Sequence, residues 1–319
     1  MKTKLFISAL LLSWVLSASA QIGRPLPVLQ SNPDARTAAM GGATGAKTDR
    51  MYLFSSPSAM LFQDQKLRFD FSTEMYPKVQ DITGRTMQYN LTGAYHFLDR
   101  HAAFLGFRYQ GGTEHTYIDG NLESNRVVVK PFNWIIDAGY AFKLSEQFSV
   151  DASANLIASW IGKGSYTGSF ALGVYYQGDV TLGYIPAIAS VGLRVMDIGA
   201  PLSYKAEGMS YALPTSLQLS GGLDLQLTPK HQVNLLAGTR YFFLPKEASL
   251  FTMGLGTEYG YKGFLFARAG FQYGQHAQSF GTLGLGVKYQ GITLDAAYRI
   301  STAKDFGVNT LLISLGYSF

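Results

Sequence analysis

The sequence predicts an all-β protein, a transmembrane antiparallel β-barrel of about fourteen strands, and three observations lead to it. From Lys66 to Phe319, apolar and polar residues alternate in short segments separated by turns. A period of two places successive side chains on opposite faces of a strand. Within these segments the charges share one row and the aliphatic and aromatic residues the other. Beyond the amino terminus, no stretch approaches the roughly eighteen uncharged apolar residues that a membrane helix needs. Lipid satisfies no backbone hydrogen bond, so a bilayer would be crossed only by a closed barrel.

The segments follow in order. Residues 66–76 set Arg68, Asp70 and Glu74 against Leu67, Phe69 and Phe71. Residues 86–97 and 102–110 come next, with Phe97 and Tyr109 at their ends. Residues 132–143 oppose Asp137 and Lys143 to Trp134, Ile136, Tyr140 and Phe142; residues 147–160, 169–177 and 187–196 follow. In 215–227, Leu217, Leu219, Leu223 and Leu225 alternate with Gln218, Asp224 and Gln226. Residues 232–243 set Arg240 against Val233, Leu235 and Tyr241, and 250–259 set Glu258 against Phe251, Met253 and Leu255. After 264–273, residues 281–290 oppose Lys288 to Leu283, Leu285 and Val287, and 291–300 oppose Asp295 and Arg299 to Ile292, Leu294 and Tyr298. Residues 309–319 close the series with Leu311, Ile313, Leu315, Tyr317 and Phe319 on one face. Fourteen is an even number, as in single-chain bacterial barrels, and the lengths centre on the roughly 9–11 residues of a tilted spanning strand.

Short links at 144–146, 228–231 and 261–263 read as periplasmic turns, and longer ones at 111–131, 197–214 and 301–308 as extracellular loops. Pro131, Pro186 and Pro214 sit at strand starts or edges, where a missing N–H is tolerated. Aromatics at segment ends, among them Tyr76, Phe142, Tyr259, Tyr289, Tyr298 and Phe319, match the girdles of outer-membrane barrels.

Composition fits this class. The chain has 20 Tyr, 21 Phe and 35 Gly in 319 residues and only 15% charged residues. With no cysteine, a disulfide framework, a thiol nucleophile and a thiolate metal site are excluded. The formal charge of +5 falls to about +3 without Lys2 and Lys4, too little to indicate a nucleic-acid partner. Membrane lipid is the expected surrounding partner.

Lys2 and Lys4, the apolar run Leu5 to Leu16 and the small residues Ala18-Ser19-Ala20 read as a secretory signal peptide over residues 1–20. Residues 21–65 do not alternate; small residues, glycines and turn-formers predict a compact piece inside the barrel formed by 66–319.

Here the chain resembles a family. Asp34-Ala35-Arg36 followed by Met40-Gly41-Gly42-Ala43 looks like the amino-terminal signature of the PorV/PorQ proteins, within the FadL-like outer-membrane barrels. Gly192-Leu193-Arg194-Val195-Met196-Asp197-Ile198-Gly199, then Leu202-Ser203-Tyr204 and Tyr211-Ala212-Leu213-Pro214, is similar to that family's strand, turn, tyrosine loop and Leu-Pro entry to the next strand. Two positions depart from the pattern: Ser56-Pro57-Ser58 stands where Asn-Pro-Ala is usual, and Asp197 where Asn is usual. Tyr317-Ser318-Phe319 resembles the carboxy-terminal aromatic signal of barrel-assembly substrates.

The resemblance implies fourteen strands with an N-terminal plug, a Gram-negative, Bacteroidetes-like outer membrane, and a part in type IX secretion. Such a protein binds a translocon barrel or the signal domains of exported cargo, catalyses nothing and holds no cofactor. Tyr117, Asp119, Tyr204 and Tyr211, with charged neighbours such as Glu114 and Lys205, are the candidate docking residues, although polar loops need no partner to be polar. Arg68, Asp70, Asp137, Arg194, Arg240 and Arg299, among other charges of mixed sign, are expected to face the lumen and pair wall to plug, because a buried charge needs a partner. The alternative is a FadL-like transporter of hydrophobic small molecules, with Phe104, Ile135, Ile157, Tyr175, Phe264 and Phe266 either lining a pocket or packing on the plug. An enzyme is disfavoured: His96, His101, His115, His231 and His276 are scattered, and neither a Gly-x-Ser-x-Gly elbow nor a His-Glu-x-x-His motif occurs.

Overall fold

A computed structural model describes residues 26–30, 32–44, 46, 48–79, 82–118, 126–204, 209–275, 278–302 and 309–319. The expected leader, 1–20, lies outside the described residues.

The strands in chain order are β1 (Leu67–Met75), β2 (Thr83–Phe97), β3 (His101–Ile118), β4 (Arg126–Val129), β5 (Phe132–Lys143), β6 (Phe148–Trp160), β7 (Gly164–Leu182), β8 (Ile185–Gly199), β9 (Leu202–Tyr204), β10 (Met209–Tyr211), β11 (Ser216–Thr228), β12 (His231–Phe242), β13 (Leu250–Tyr261), β14 (Leu265–Gly274), β15 (Phe280–Tyr289), β16 (Ile292–Ser301) and β17 (Thr310–Ser318). Fourteen of them form a closed antiparallel barrel. Each pairs with the next, and β1 pairs with β17, Phe71 opposite Leu315, so the cylinder has no free edge within the membrane. β4 continues β3 beyond the wall, and β9 and β10 make a separate hairpin in the connection from β8 to β11.

All fourteen expected segments are strands, and β3, β7 and β8 run furthest beyond their alternation. The alternation ends at Gln110, yet β3 continues to Ile118: Gly111 and Gly112 break the pattern, a bulge absorbs the mismatch opposite Gly84 to Met87, and β4 supplies a new partner. In β7 the residues flanking 169–177 include Gly164, Gly168 and Gly178, which carry no side chain to register a face. β8 likewise runs to Gly199, past a register shift where β7 pairs with it.

Side chains obey the pleat. In β16, Ile292, Leu294, Tyr298 and Ile300 are exposed on the outer row, while Thr293, Asp295, Ala297 and Arg299 are buried on the inner one. Two aromatic belts ring the outside. At the long-loop end Tyr89, Tyr109, Phe132 and Trp160 stack across β2, β3, β5 and β6 with centroids 6.4, 6.3 and 6.4 Å apart. At the short-turn end, rings such as Tyr95, Phe97, Phe148, Tyr176, Tyr317 and Phe319 form the second belt. These are the interfacial girdles of a bilayer-spanning barrel.

The described residues among 26–63 form an inner segment that packs against inward-facing residues of the wall. It comprises 3-10 turns at Pro27–Leu29, Tyr52–Phe54 and Pro57–Phe62, and the short helix α1 (Ala35–Ala39). Asp34 caps α1, its carboxylate accepting from the Thr37 N–H at 2.9 Å and the Thr37 hydroxyl at 2.8 Å. Apolar clusters join this segment to the wall. Tyr52, Leu53, Met60 and Leu61 pack on Phe104 and Tyr175. Leu26, Val28 and Leu29 pack on Ile135 and Ile157, and Ala35, Ala38 and Ala39 on Ala297 and Leu312. Phe104, Ile135, Ile157 and Tyr175 therefore serve packing, and Phe266 is buried on the inner row. Phe264 is different: it falls in the turn after β13, and its ring is exposed at the rim against Tyr289. Tyr261-Lys262-Gly263 turns one residue later than the alternation implies, because Lys262 and Gly263 take positive φ.

Candidate functional site

The lumen holds a ladder of alternating charges that links the inner segment to the wall. It runs Asp49, Arg50, Asp295, Arg268, Glu258, Arg36. Asp49, Arg50 and Arg36 come from the inner segment, Glu258 from β13, Arg268 from β14 and Asp295 from β16. Arg50 Nε meets Asp49 at 2.8 Å, Arg268 Nη1 meets Asp295 at 2.6 Å and Arg36 Nε meets Glu258 at 2.9 Å. The Arg50–Asp295 and Arg268–Glu258 pairs are also in direct contact. Three acids and three bases cancel, the condition for burying the five charges from Arg50 to Arg36, with Asp49 partly exposed at the end of the ladder. Burial acts to raise the Asp49 carboxyl, but Arg50 and Arg36 outweigh it and hold the group well below the usual carboxylate range.

Five inward arginines find their ionic partners on the wall itself and not on the inner segment as expected, because the inward rows bring opposite charges together along the wall. Arg68 meets Asp70 at 2.7 Å, Arg108 meets Asp137 at 2.5 Å, Arg194 meets Asp151 at 3.3 Å, Arg240 meets Asp197 at 3.3 Å and Arg299 meets Glu74 at 2.7 Å. Their spare donors grip the inner segment's main chain. Arg108 donates to the Val28 carbonyl at 3.3 Å, Arg240 to those of Leu29 and Gln30 at 3.3 and 3.1 Å, and Arg194 to that of Leu53 at 3.0 Å. Asp70 accepts from the Met51 N–H at 2.8 Å. Short turns leave carbonyls and amides unpaired in a buried setting, and a guanidinium has five donors to offer them.

The glycine motif explains the closest approach. Met40 is fully buried, and its backbone lies against the inner faces of Gly256 and Gly270. Gly41 has φ +68°, and a Cβ there would stand 2.5 Å from the carbonyl oxygens of Leu255 and Phe271. Its N–H donates to the Thr282 hydroxyl at 3.0 Å, which donates in turn to the Ala39 carbonyl at 2.8 Å. Gly42 also has φ +68° and faces the Gln272 amide. The motif, Asp34 and Arg36 through Gly42, thus caps α1, supplies one ladder charge and turns the chain against the wall.

What space remains is bordered by charged and apolar side chains together. One chamber of about 190 Å³ is bordered by Arg108, Arg194, Arg240, Asp137 and Asp197. A second, of about 510 Å³ toward the short-turn end, is bordered by Arg36, Asp49, Arg50, Asp224 and Glu258. The other end is covered by the β8–β11 connection. Tyr204 is buried among Leu29, Ile157 and Leu213, its hydroxyl donating to Ser159 at 2.7 Å. Tyr211 is half-buried, edge-on to Tyr204 at 6.1 Å. Ser165 and Thr167 donate to the Ser203 and Ala200 carbonyls, each at 2.7 Å. Of the other loop residues singled out, the Tyr117 side chain, Asp119 and Lys205 lie outside the described residues.

Among the described residues no group of three metal-ligating side chains converges. His101 and His231 sit at the rim beside the Tyr140 and Tyr259 hydroxyls, and His276 lies outside the described residues.

A closed barrel with a greasy outer row, two aromatic belts and a lumen packed by its own amino-terminal segment is the architecture of an outer-membrane protein. Three solved structures share this fold: the toluene transporter TbuX of Ralstonia pickettii (14% identity, TM-score 0.63, covering 91% of this chain and 99% of that one), the Pseudomonas putida toluene transporter TodX (14%, 0.63, 91% and 99%) and a FadL homologue of Pseudomonas aeruginosa (13%, 0.51, 91% and 98%). At these identities the likeness establishes architecture alone. No curated protein matches the chain. The family described as type IX secretion system protein PorV matches residues 17–247, and the chain belongs to it.

Proposed function

We propose that this protein serves type IX secretion as a binding barrel, docking exported cargo or the translocon and catalysing nothing itself. The observation that carries this reading is the family match, which spans the inner segment and the wall through β12. The lumen supports it. Residues 21–65 act on this reading as a plug following a cleaved leader, and the chambers beside them are bordered by ion pairs. The inward apolar side chains of the clusters are already in contact with the inner segment. A passage for an apolar solute would have to break those contacts and cross charged walls. Docking then falls to the loops at the long-loop end, with Tyr211 the half-buried member of the Tyr204–Tyr211 pair.

The fold shared with toluene transporters favours the second reading, uptake of a hydrophobic small molecule. Affinity capture of the tagged chain from detergent-solubilised outer membrane separates the two. Recovery of a large translocon barrel or of signal-domain cargo supports secretion. Capture of neither, with a growth defect on an apolar nutrient in the deletion strain, overturns it in favour of transport.

A further inference from the structure

Two features of the outer wall meet on the same strands, and docking in secretion uses neither. The first is a cationic rim at the short-turn end, which barrel topology places in the periplasm. The turns from β11 to β12, β13 to β14 and β15 to β16 contribute Lys230, His231 and Lys262 and no carboxylate. Turns on the opposite side of the barrel, from β2 to β3 and β5 to β6, carry Asp99 and Glu146. Lys230 and Lys262 are both exposed, and the Lys262 N–H donates to the Lys230 carbonyl at 2.7 Å, so the two turns abut. Around them stand interfacial rings: the Lys262 ammonium lies 5.2 Å from the centre of the Tyr261 ring, and His231 Nδ1 lies 2.6 Å from the Tyr259 hydroxyl.

The second feature is an apolar groove of about 870 Å³ in the lipid-facing surface, bordered by Leu223, Leu235, Ala237, Leu255, Ala269 and Phe271. Ala237 and Ala269 stand on outward rows, the first opposite Gly221 and the second next to Ala267, and these small residues leave the hollow. The groove leads to the rim along paired strands: Ala237 opposes Leu255, Leu235 opposes Thr257, and Val233 opposes Tyr259 of the belt.

We propose that this face binds an anionic phospholipid of the periplasmic leaflet, its phosphate on Lys230 and Lys262 and an acyl chain in the groove. The two parts match the two halves of one molecule. A phosphodiester supplies the negative charge that an acid-free pair of lysines attracts at headgroup level, and the Tyr259 and Tyr261 rings sit where interfacial aromatics anchor. A chain laid in the groove restores the dispersion contacts that the two alanines forgo. A zwitterionic lipid fills the groove while leaving the lysines without a net counter-charge, and free phosphate meets the lysines alone.

The test is native mass spectrometry of the delipidated full chain in detergent, titrated with phosphatidylglycerol or phosphatidylcholine of identical acyl chains. Phosphatidylglycerol is expected to bind at least about tenfold more tightly. Each lysine is worth roughly fivefold, so Lys230→Gln/Lys262→Gln lowers phosphatidylglycerol affinity toward that of phosphatidylcholine. Ala269→Phe, which fills the groove without touching a charge, weakens both lipids. Arg100→Gln, on the acid-bearing side, changes neither. A heat-induced gel shift identical to the parent's shows that each variant is folded. Equal affinity for the two lipids overturns the proposal, as does an Arg100→Gln loss as large as that of the lysine pair. Complete competition by inorganic phosphate, with Ala269→Phe silent, also overturns it.

Discussion

Arg36 of the inner segment donates Nε and Nη2 to the two carboxylate oxygens of Glu258 on β13, each at 2.9 Å. Both residues are buried, and the fork geometry makes the pair directional as well as electrostatic. Arg268 reaches the same carboxylate from β14. Glu258 is therefore the point at which the segment's charge and the wall's charge meet.

Glu258→Ala leaves two buried guanidiniums facing an empty position. Breaking one buried pair costs about 3–5 kcal/mol, so the detergent unfolding midpoint falls and protease cuts the inner segment faster. Arg36→Ala costs less, because Arg268 still neutralises Glu258. The double variant is less destabilised than the sum of the single ones, as residues in one network require.

Gly41→Ala tests the seat of the inner segment. The left-handed backbone costs a non-glycine residue about 1–2 kcal/mol, and the added Cβ strikes two wall carbonyls 2.5 Å away that belong to paired strands and cannot move. The barrel still folds by its gel shift while the inner segment loses protease protection. Full protection in Gly41→Ala contradicts the placement.

Much of this was readable from sequence because a strand exposed to lipid on one face and lumen on the other must alternate. The bounds of β5 follow from Asp137 opposing Ile136 and Tyr140. Glycines hid the rest of β3 and β7, where no side chain marks a face. The inward direction of Arg68, Arg240 and Arg299 was legible, but their partners were not: Arg240 meets Leu29 and Gln30, some 210 residues away in the chain, through backbone carbonyls that carry no sequence signature. Arg50 was missed as a ladder member because it lies in the segment without periodicity, where only its charge signals a need for a partner. Tyr204 looks like an open-loop tyrosine in sequence and is buried because the connection folds back into the mouth.

Outer and inner rows should answer differently to charge. Leu219 and Leu285 are 50% and 69% exposed on the outer row, and arginine at either costs about 2–4 kcal/mol near the midplane. Leucine to phenylalanine at the same positions is nearly neutral. Gln218, only 4% exposed, lines one crevice with the Arg194–Asp151 pair, so a charge of either sign there meets its like, and Gln218→Arg and Gln218→Glu are both costly for that different reason. Folding yields into lipid vesicles as a function of urea measure all of these.

Acid should loosen the inner segment only late. The folded Asp49 carboxyl is held below its ordinary range, so its contribution is complete above the unfolded carboxylate value, about pH 4, and is lost as pH falls through the lower folded value. Protease protection of the segment stays constant from pH 8 to pH 5 and declines only in stronger acid. A loss between pH 8 and pH 6 contradicts the pairing.

The most direct measurement of the central claim is the location of signal-domain cargo in a strain lacking this protein, followed by fractionation. The account predicts that cargo accumulates in the periplasm with its signal domain uncleaved, and that the parent chain restores export. Cargo reaching the cell surface at the parental rate in the deletion strain contradicts it.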